Sequence, residues 1–235
     1  MVGLFCWLGR MQDDNWELIN GQDAHDIEVL NYTNQINVIE AMLKLFLNRG
    51  GATEHGCPLV PNCQTLRELH RTGTLFLLHR PGEYRGEPVY VVKNDGTLVY
   101  TPPAAEEVDD HMAKFEEELG GTWGAPPITV AAFALWRINW IHPFKNGNGR
   151  TARAFAYACL CLKFGFLLPG TKTVIDLIMV NRPEYQDALR VADRTFAEAG
   201  IPDLSKMEEF LTRLLVEQLS STEPPEAEAD PAAPR

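Results

Sequence analysis

Apolar residues recur three and four positions apart along most of the chain, the period of helices that turn one face inward. Over 26–47 the series is Ile27, Leu30, Ile36, Ile39, Leu43 and Phe46, and Asn48, Arg49, Gly50 and Gly51 then supply a stop. The stretch up to Cys63 is punctuated by Gly and Pro and reads as loop. A second helix is predicted over 64–78 on Leu66, Leu69, Leu75 and Leu78, and a third over 106–119, with Glu116, Glu117 and Glu118 on a solvated face. Residues 128–140 carry one charge, Arg137, and 150–166 are rich in Ala, Leu and Phe on nearly every face. Both are expected to be buried, the second at the centre of a bundle. Further helices are predicted over 173–190 and 203–219. Only 88–92 and 97–101 read as strands, separated by Lys93, Asn94, Asp95 and Gly96, where Asp-Gly is a hairpin turn signal. The pattern predicts an all-α chain with one small β-hairpin. From Ser220 onward apolar content is lost, and that tail is expected to be disordered.

Composition narrows the function without choosing it. With 235 residues and 45% hydrophobic content, the chain can build one sizeable core and a small appendage. A formal net charge of −11 speaks against nucleic acid as a partner, which normally leaves a basic footprint. The apolar run 2–9 is short, lacks a cationic leader and is followed by Arg10, and no other run approaches a membrane span. No membrane partner and a cytoplasmic site of synthesis are therefore expected, while injection into another cell would leave no mark in such a sequence. Five cysteines, Cys6, Cys57, Cys63, Cys159 and Cys161, contain no C-x-x-C pair and read as reduced thiols, the last two as core. His55, Cys57, Cys63 and His70 are too irregularly spaced for a zinc site and read as ordinary loop and helix residues. Trp136 and Trp140 read as core or loop support.

The chemistry is concentrated in 142–153. Gly147 and Gly149 lack Cβ, so the backbone can take positive φ and turn its N–H groups toward an anion, and Asn148 tolerates the left-handed region. The loop feeds a helix whose N-terminus carries unpaired N–H groups and partial positive charge. Arg150 and Arg153, three apart, share a helical face and can grip one polyphosphate. His142 is the one group in the run that titrates near neutrality and can take a proton from an attacking hydroxyl. Glycines, Asn and a His before Pro also occur in plain turns, but a turn leaves Phe144 and the arginine pair unexplained.

The run resembles the signature of the Fic family, HxFx(D/E)GNGRxxR, through His142, Phe144, Gly147, Asn148, Gly149, Arg150 and Arg153. The resemblance implies a Fic-type helical bundle with a small β-hairpin flap, spanning 62–200. A helical extension over 1–61 would precede it, and a C-terminal helix over 201–219 and the tail over 220–235 would follow. It implies transfer of AMP from ATP to a Ser, Thr or Tyr hydroxyl of a target protein. His142 would be the base, Phe144 the core anchor, and Gly147, Asn148, Gly149, Arg150 and Arg153 the phosphate contacts. Leu69 and His70 followed by Pro81, Gly82, Glu83, Tyr84 and Arg85 are similar to the family's helix and Gly-x-x-Arg turn. The hairpin, Val91, Val92, Lys93, Asn94, Asp95, Gly96 and Thr97, would be the flap that docks the target by strand addition, the other reading being a decorative ribbon.

One position departs from the signature. Asn146 stands where the family has an acidic Mg²⁺ ligand; its amide oxygen can coordinate but brings no charge, so metal binding is expected to be weakened. Lys145 beside it either offsets lost metal charge or simply faces solvent. Two further readings stay open: a related transfer of another phosphate-containing group, and a degenerate Fic-fold module that binds nucleotide or partner without chemistry. Many family members carry a self-inhibitory (S/T)xxxE(G/N) helix. Here Ser205 to Glu209 match its first five positions, making Glu209 a candidate, and Ile39-Glu40 resemble its N-terminal form, making Glu40 another. Ordinary helix-surface glutamates are the simpler reading of both.

Overall fold

A computed structural model describes residues 21–52, 59–92 and 95–221. Among them eight α-helices follow one another: α1 Gly21–Asn48, α2 Cys63–Gly73, α3 Val108–Thr122, α4 Pro127–Ile141, α5 Asn148–Phe164, α6 Val174–Val180, α7 Arg182–Ala199 and α8 Ser205–Ser220. Between α2 and α3 lie an antiparallel pair, β1 Val91–Val92 and β2 Leu98–Tyr100, and a short 3-10 turn, Ala105–Glu107. The all-α reading with one hairpin holds. The tail beyond Ser221, Cys6, His55 and Cys57, and Lys93 and Asn94 of the expected turn lie outside the described residues.

Central placement of α5 follows from its sequence. Small and apolar side chains all round let neighbours approach from every side, and Ala152, Ala154, Phe155, Ala158, Cys159 and Cys161 have no solvent exposure. Helix α4 packs along it, and α1, α2 and α6 close the other faces. Ile39 and Leu43 of α1 and Phe210 and Leu214 of α8 join the same buried core as α4 and α5. Burial pushes the Cys161 thiol up to about 11 and that of Cys159 higher still, so both are protonated packing groups.

Two of the expected helices end elsewhere, the second of them as a pair that runs on to Ala199. The helix expected over 64–78 stops at Gly73. A Cβ on Gly73 would lie 2.2 Å from the Gln35 side-chain amide, so α1 passes against bare backbone there. Thr74 then caps the end, donating its hydroxyl to the His70 carbonyl at 2.7 Å, and Phe76 turns left-handed at φ 62. Leu75 and Leu78 kept the helical spacing without being helix. The helix expected over 173–190 is two, broken at Asn181, because Pro183 cannot donate into a continuing ladder but suits a first turn.

Candidate active site

Helix α4 delivers His142 as its C-cap, with the His142 N–H on the Ile138 carbonyl at 2.9 Å. The residue sits left-handed, φ 54 and ψ 57. That conformation is sterically costly for a residue with a Cβ, and surrounding contacts must hold it. Its Nδ1 lies 3.3 Å from the Asn139 carbonyl, which can only accept, so Nδ1 carries the proton and Nε2 keeps its lone pair. Burial, aided by the positive charge of Arg85, pulls the imidazole down to about 4. At neutral pH His142 is therefore uncharged and able to accept a proton.

The loop after it is braced from both sides. Phe144 is fully buried, its ring stacked on His70 at 3.7 Å with 12° between planes, and Tyr84 leans on it at 5.4 Å. Asn148 brackets Phe144: its Oδ1 accepts the Phe144 N–H at 2.8 Å and its Nδ2 donates to the Phe144 carbonyl at 2.7 Å. The left-handed residue is Gly147, φ 77, while Asn148 opens α5 with helical backbone. Asn148 is thus used for its amide rather than for conformational tolerance. A Cβ on Gly147 would come 2.7 Å from Thr74 Cγ2 and 3.3 Å from His70 Nε2, so the loop backbone lies directly on α2. Gly149 is helical, and a Cβ there would meet Arg153 Nη1 at 3.4 Å, so its bareness leaves that guanidinium room.

His70 has no solvent exposure and is fully committed. Gly82 N–H donates to its Nδ1 at 2.7 Å, so Nε2 holds the proton and donates to the Asn146 carbonyl at 2.9 Å. Burial draws it, too, down to about 4. This leaves it no role as a metal ligand, and no cluster of three or more metal-ligating side chains exists among the described residues. Asn146 Oδ1 accepts the N–H of Gly147 at 2.7 Å. Lys145 points to Glu87, 3.5 Å away.

The two arginines are in different states. Arg150 donates from Nη1 to the Gly73 carbonyl at 2.7 Å and pairs through Nη2 with Glu28 of α1. Arg153 is partly buried, its Nε is shut off from solvent, and that nitrogen has no partner among the described residues. Burial lowers its pKa, and Arg150 and Arg182 add positive charge around it, opposed by Glu28. A desolvated cation with an idle donor is costly unless an anion completes it. Tyr185 of α7, also facing Arg153, accepts the Asn139 side-chain amide at 2.9 Å.

Of the residues singled out in the sequence, His142, Phe144 and 146–153 converge here. The hairpin displays Val92 and Leu98 to solvent, and the Tyr100 hydroxyl ties it to the Trp140 carbonyl at 2.6 Å. Glu40 pairs with Lys44 within α1, and Glu209 is exposed on α8. The carboxylate that meets a motif arginine is Glu28 instead. His70, Arg85, Asn139 and Tyr185 also belong to the surroundings of the site. His70 and Arg85 had a signal in the sequence, since both lie in the helix-and-turn segment of the resemblance; Glu28 had none.

Fold and site together define a helical protein with a neutral imidazole beside a glycine turn that opens a helix. Comparison agrees: residues 61–160 match the model of the Fic/DOC family. A Fido domain-containing protein of Dictyostelium discoideum is 31% identical over 115 residues, 49% of this chain and 73% of that protein. The chain belongs to the Fic/DOC family. Protein adenylyltransferase fic-1 of Caenorhabditis briggsae is 33% identical over 141 residues, but this chain spans only 26% of its length. The crystal structure of a Fic family protein from Desulfovibrio desulfuricans superposes with a TM-score of 0.62 at 21% identity, covering 86% of this chain and 54% of that one. That likeness speaks to the fold alone.

Proposed function

We propose that the chain transfers AMP from ATP to a hydroxyl side chain of a target protein. The observation that carries this reading is the pairing of a neutral His142, whose Nε2 keeps its lone pair, with Arg153, one loop away, whose buried Nε has no partner among the described residues. The target oxygen bonds to the α-phosphorus, the bond to pyrophosphate breaks, and the hydroxyl proton passes to His142 Nε2. Arg153 and the N–H groups opening α5 balance phosphate charge, and much of the rate comes from alignment by a loop that cannot drift. The names of the adenylyltransferases in Caenorhabditis and Nematostella support the same chemistry. The exposed hairpin, with main-chain edges and apolar Val92, Leu98 and Val99, suits docking of an extended target segment.

The donor set does not fit a protein-held Mg²⁺. It would need a carboxylate, whereas Asn146 offers one neutral amide oxygen that already accepts a loop N–H, and Glu87 and Glu28 are turned to Lys145 and Arg150. Asn146→Asp is expected to make transfer rise with Mg²⁺ concentration more steeply than in the wild type.

The deciding experiment is incubation with ATP labelled at the α-phosphate, with and without Mg²⁺, read by autoradiography and intact mass. Addition of an AMP unit to the chain or to a lysate protein supports the reading. ATP binding without any label in wild type and in Asn146→Asp would make the chain a binding module. Glu28→Gln gives a milder, separate outcome. Both side chains of its ion pair are partly exposed, so the stability cost should stay below about 1 kcal/mol. Loss of the competing carboxylate should tighten ATP binding, measurable by calorimetry. Weaker binding would mean that Glu28 serves to hold Arg150 in place.

A further inference from the structure

Arg85 is 5% exposed and makes no ion pair among the described residues. Among the described residues, every hydrogen-bond partner of its side chain is a main-chain carbonyl. Nε donates to His142 at 2.8 Å, Nη2 to Ile141 at 3.3 Å and to Pro103 at 2.7 Å, and Nη1 to Glu87 at 3.3 Å. Its own N–H donates to the Pro143 carbonyl at 2.9 Å. These acceptors fall into two sets. Ile141 and His142 end α4, where carbonyls lack helical partners and the dipole is negative, so a cation belongs there. Glu87 lies four residues before β1 and Pro103 three residues after β2, on the two chain segments that lead into and out of the hairpin. One planar, five-donor fork therefore grips both ends of the hairpin and the backbone of the candidate base, a geometry an ammonium cannot reproduce.

We infer that Arg85 is a positioning residue that fastens the hairpin to His142, so that a target segment paired with the hairpin edge presents its hydroxyl at a fixed distance from Nε2. This rests on the AMP-transfer reading for its functional consequence, though not for the brace itself. A left-handed His142 supports the idea from another side: the strained carbonyl is the one that Arg85 Nε holds. Arg85 is also the charged side chain that acts on the imidazole, the Asn139 carbonyl being the opposing neutral group, so it adds to keeping the base uncharged.

The test uses the full chain with Arg85→Lys and Arg85→Met. Arg85→Lys keeps the charge and loses the fork. It should slow AMP transfer about 10- to 100-fold, as a small displacement of a reacting group does, at nearly unchanged ATP affinity. Two readouts do not depend on activity. The His142 imidazole titration, followed by NMR and assigned with His142→Ala, should move up in Arg85→Met and hold its wild-type position in Arg85→Lys. Amide hydrogen exchange at Val91, Val92, Leu98 and Tyr100 should speed up in both variants, with far-UV circular dichroism unchanged. If wild type transfers nothing, the AMP reading fails while titration and exchange still judge the brace. Wild-type exchange and titration in Arg85→Met, or wild-type transfer in Arg85→Lys of an active chain, would overturn it.

Discussion

Replacing His142 with alanine should lower AMP transfer by about 10²- to 10⁴-fold, the range usual for loss of a general base. ATP affinity should change little. The separation follows from where the groups lie: phosphate charge would be met by Arg153 and by the N–H groups that open α5, none of which His142 contacts. The prediction is sharper because the imidazole is held near 4 by burial. A histidine at its ordinary value would lose base competence as pH fell through about 6.5, whereas this one stays neutral until well below that. Transfer attributable to His142 should therefore be flat from neutrality down past pH 6, with an acid limb close to pH 4. Equal transfer by His142→Ala would remove the residue from the chemistry, and an acid limb near 6.5 would show an exposed base in the working enzyme.

The same lowered values bear on stability. His70 and His142 both fall from 6.5 to about 4 on folding, chiefly through burial. A depressed folded value means that their contribution is complete above the unfolded value and is lost as pH drops through the folded one. Acid unfolding should accordingly begin in the window between 6.5 and 4. For His70 the physical event is plain, because the Gly82 N–H already fills its Nδ1 and a second proton would eject that bond.

Local features were legible in the sequence and distant ones were not. The strongly periodic stretches became α1, α3, α4, α5 and α8 within a few residues at either end, since a buried helical face writes itself into adjacent spacing. The overrun past Gly73 failed for a reason no spacing carries: the end of α2 is set by Gln35 of another helix lying on its backbone. The break before Pro183 was readable from proline chemistry and was overridden by continuing apolar residues. Within the site, the run from His142 to Arg153 could be read because it is one loop. Its supports come from far off: His70 acts across 76 positions, Arg85 across 57 and Glu28 across 122. Such pairings are consequences of helix packing. Glu28 illustrates it best, an unremarked glutamate on the first helix that packing carries to a motif arginine.

Gly147→Ala should be the most damaging substitution in the loop outside His142, and the reason can be divided. Left-handed backbone at φ 77 costs an L residue about 1–2 kcal/mol. The new Cβ would also stand 2.7 Å from Thr74 Cγ2, and overpacking of this kind costs about 1–3 kcal/mol. Since Gly147 carries the N–H that Asn146 Oδ1 caps and the carbonyl that receives Thr151 N–H at 3.0 Å, relief by backbone shift would rotate the whole cradle. ATP affinity should fall along with stability, unlike in His142→Ala, where they part. Thr74→Ser removes the offending methyl while keeping the hydroxyl bond to the His70 carbonyl, so alone it should be mild. Combined with Gly147→Ala it should recover the overpacking share of the lost stability and leave the backbone share. Thermal unfolding of the four proteins, with ATP titrations on each, measures this coupling. If Gly147→Ala costs the same in both backgrounds, the contact with Thr74 is not what demands glycine, and the left-handed backbone alone does.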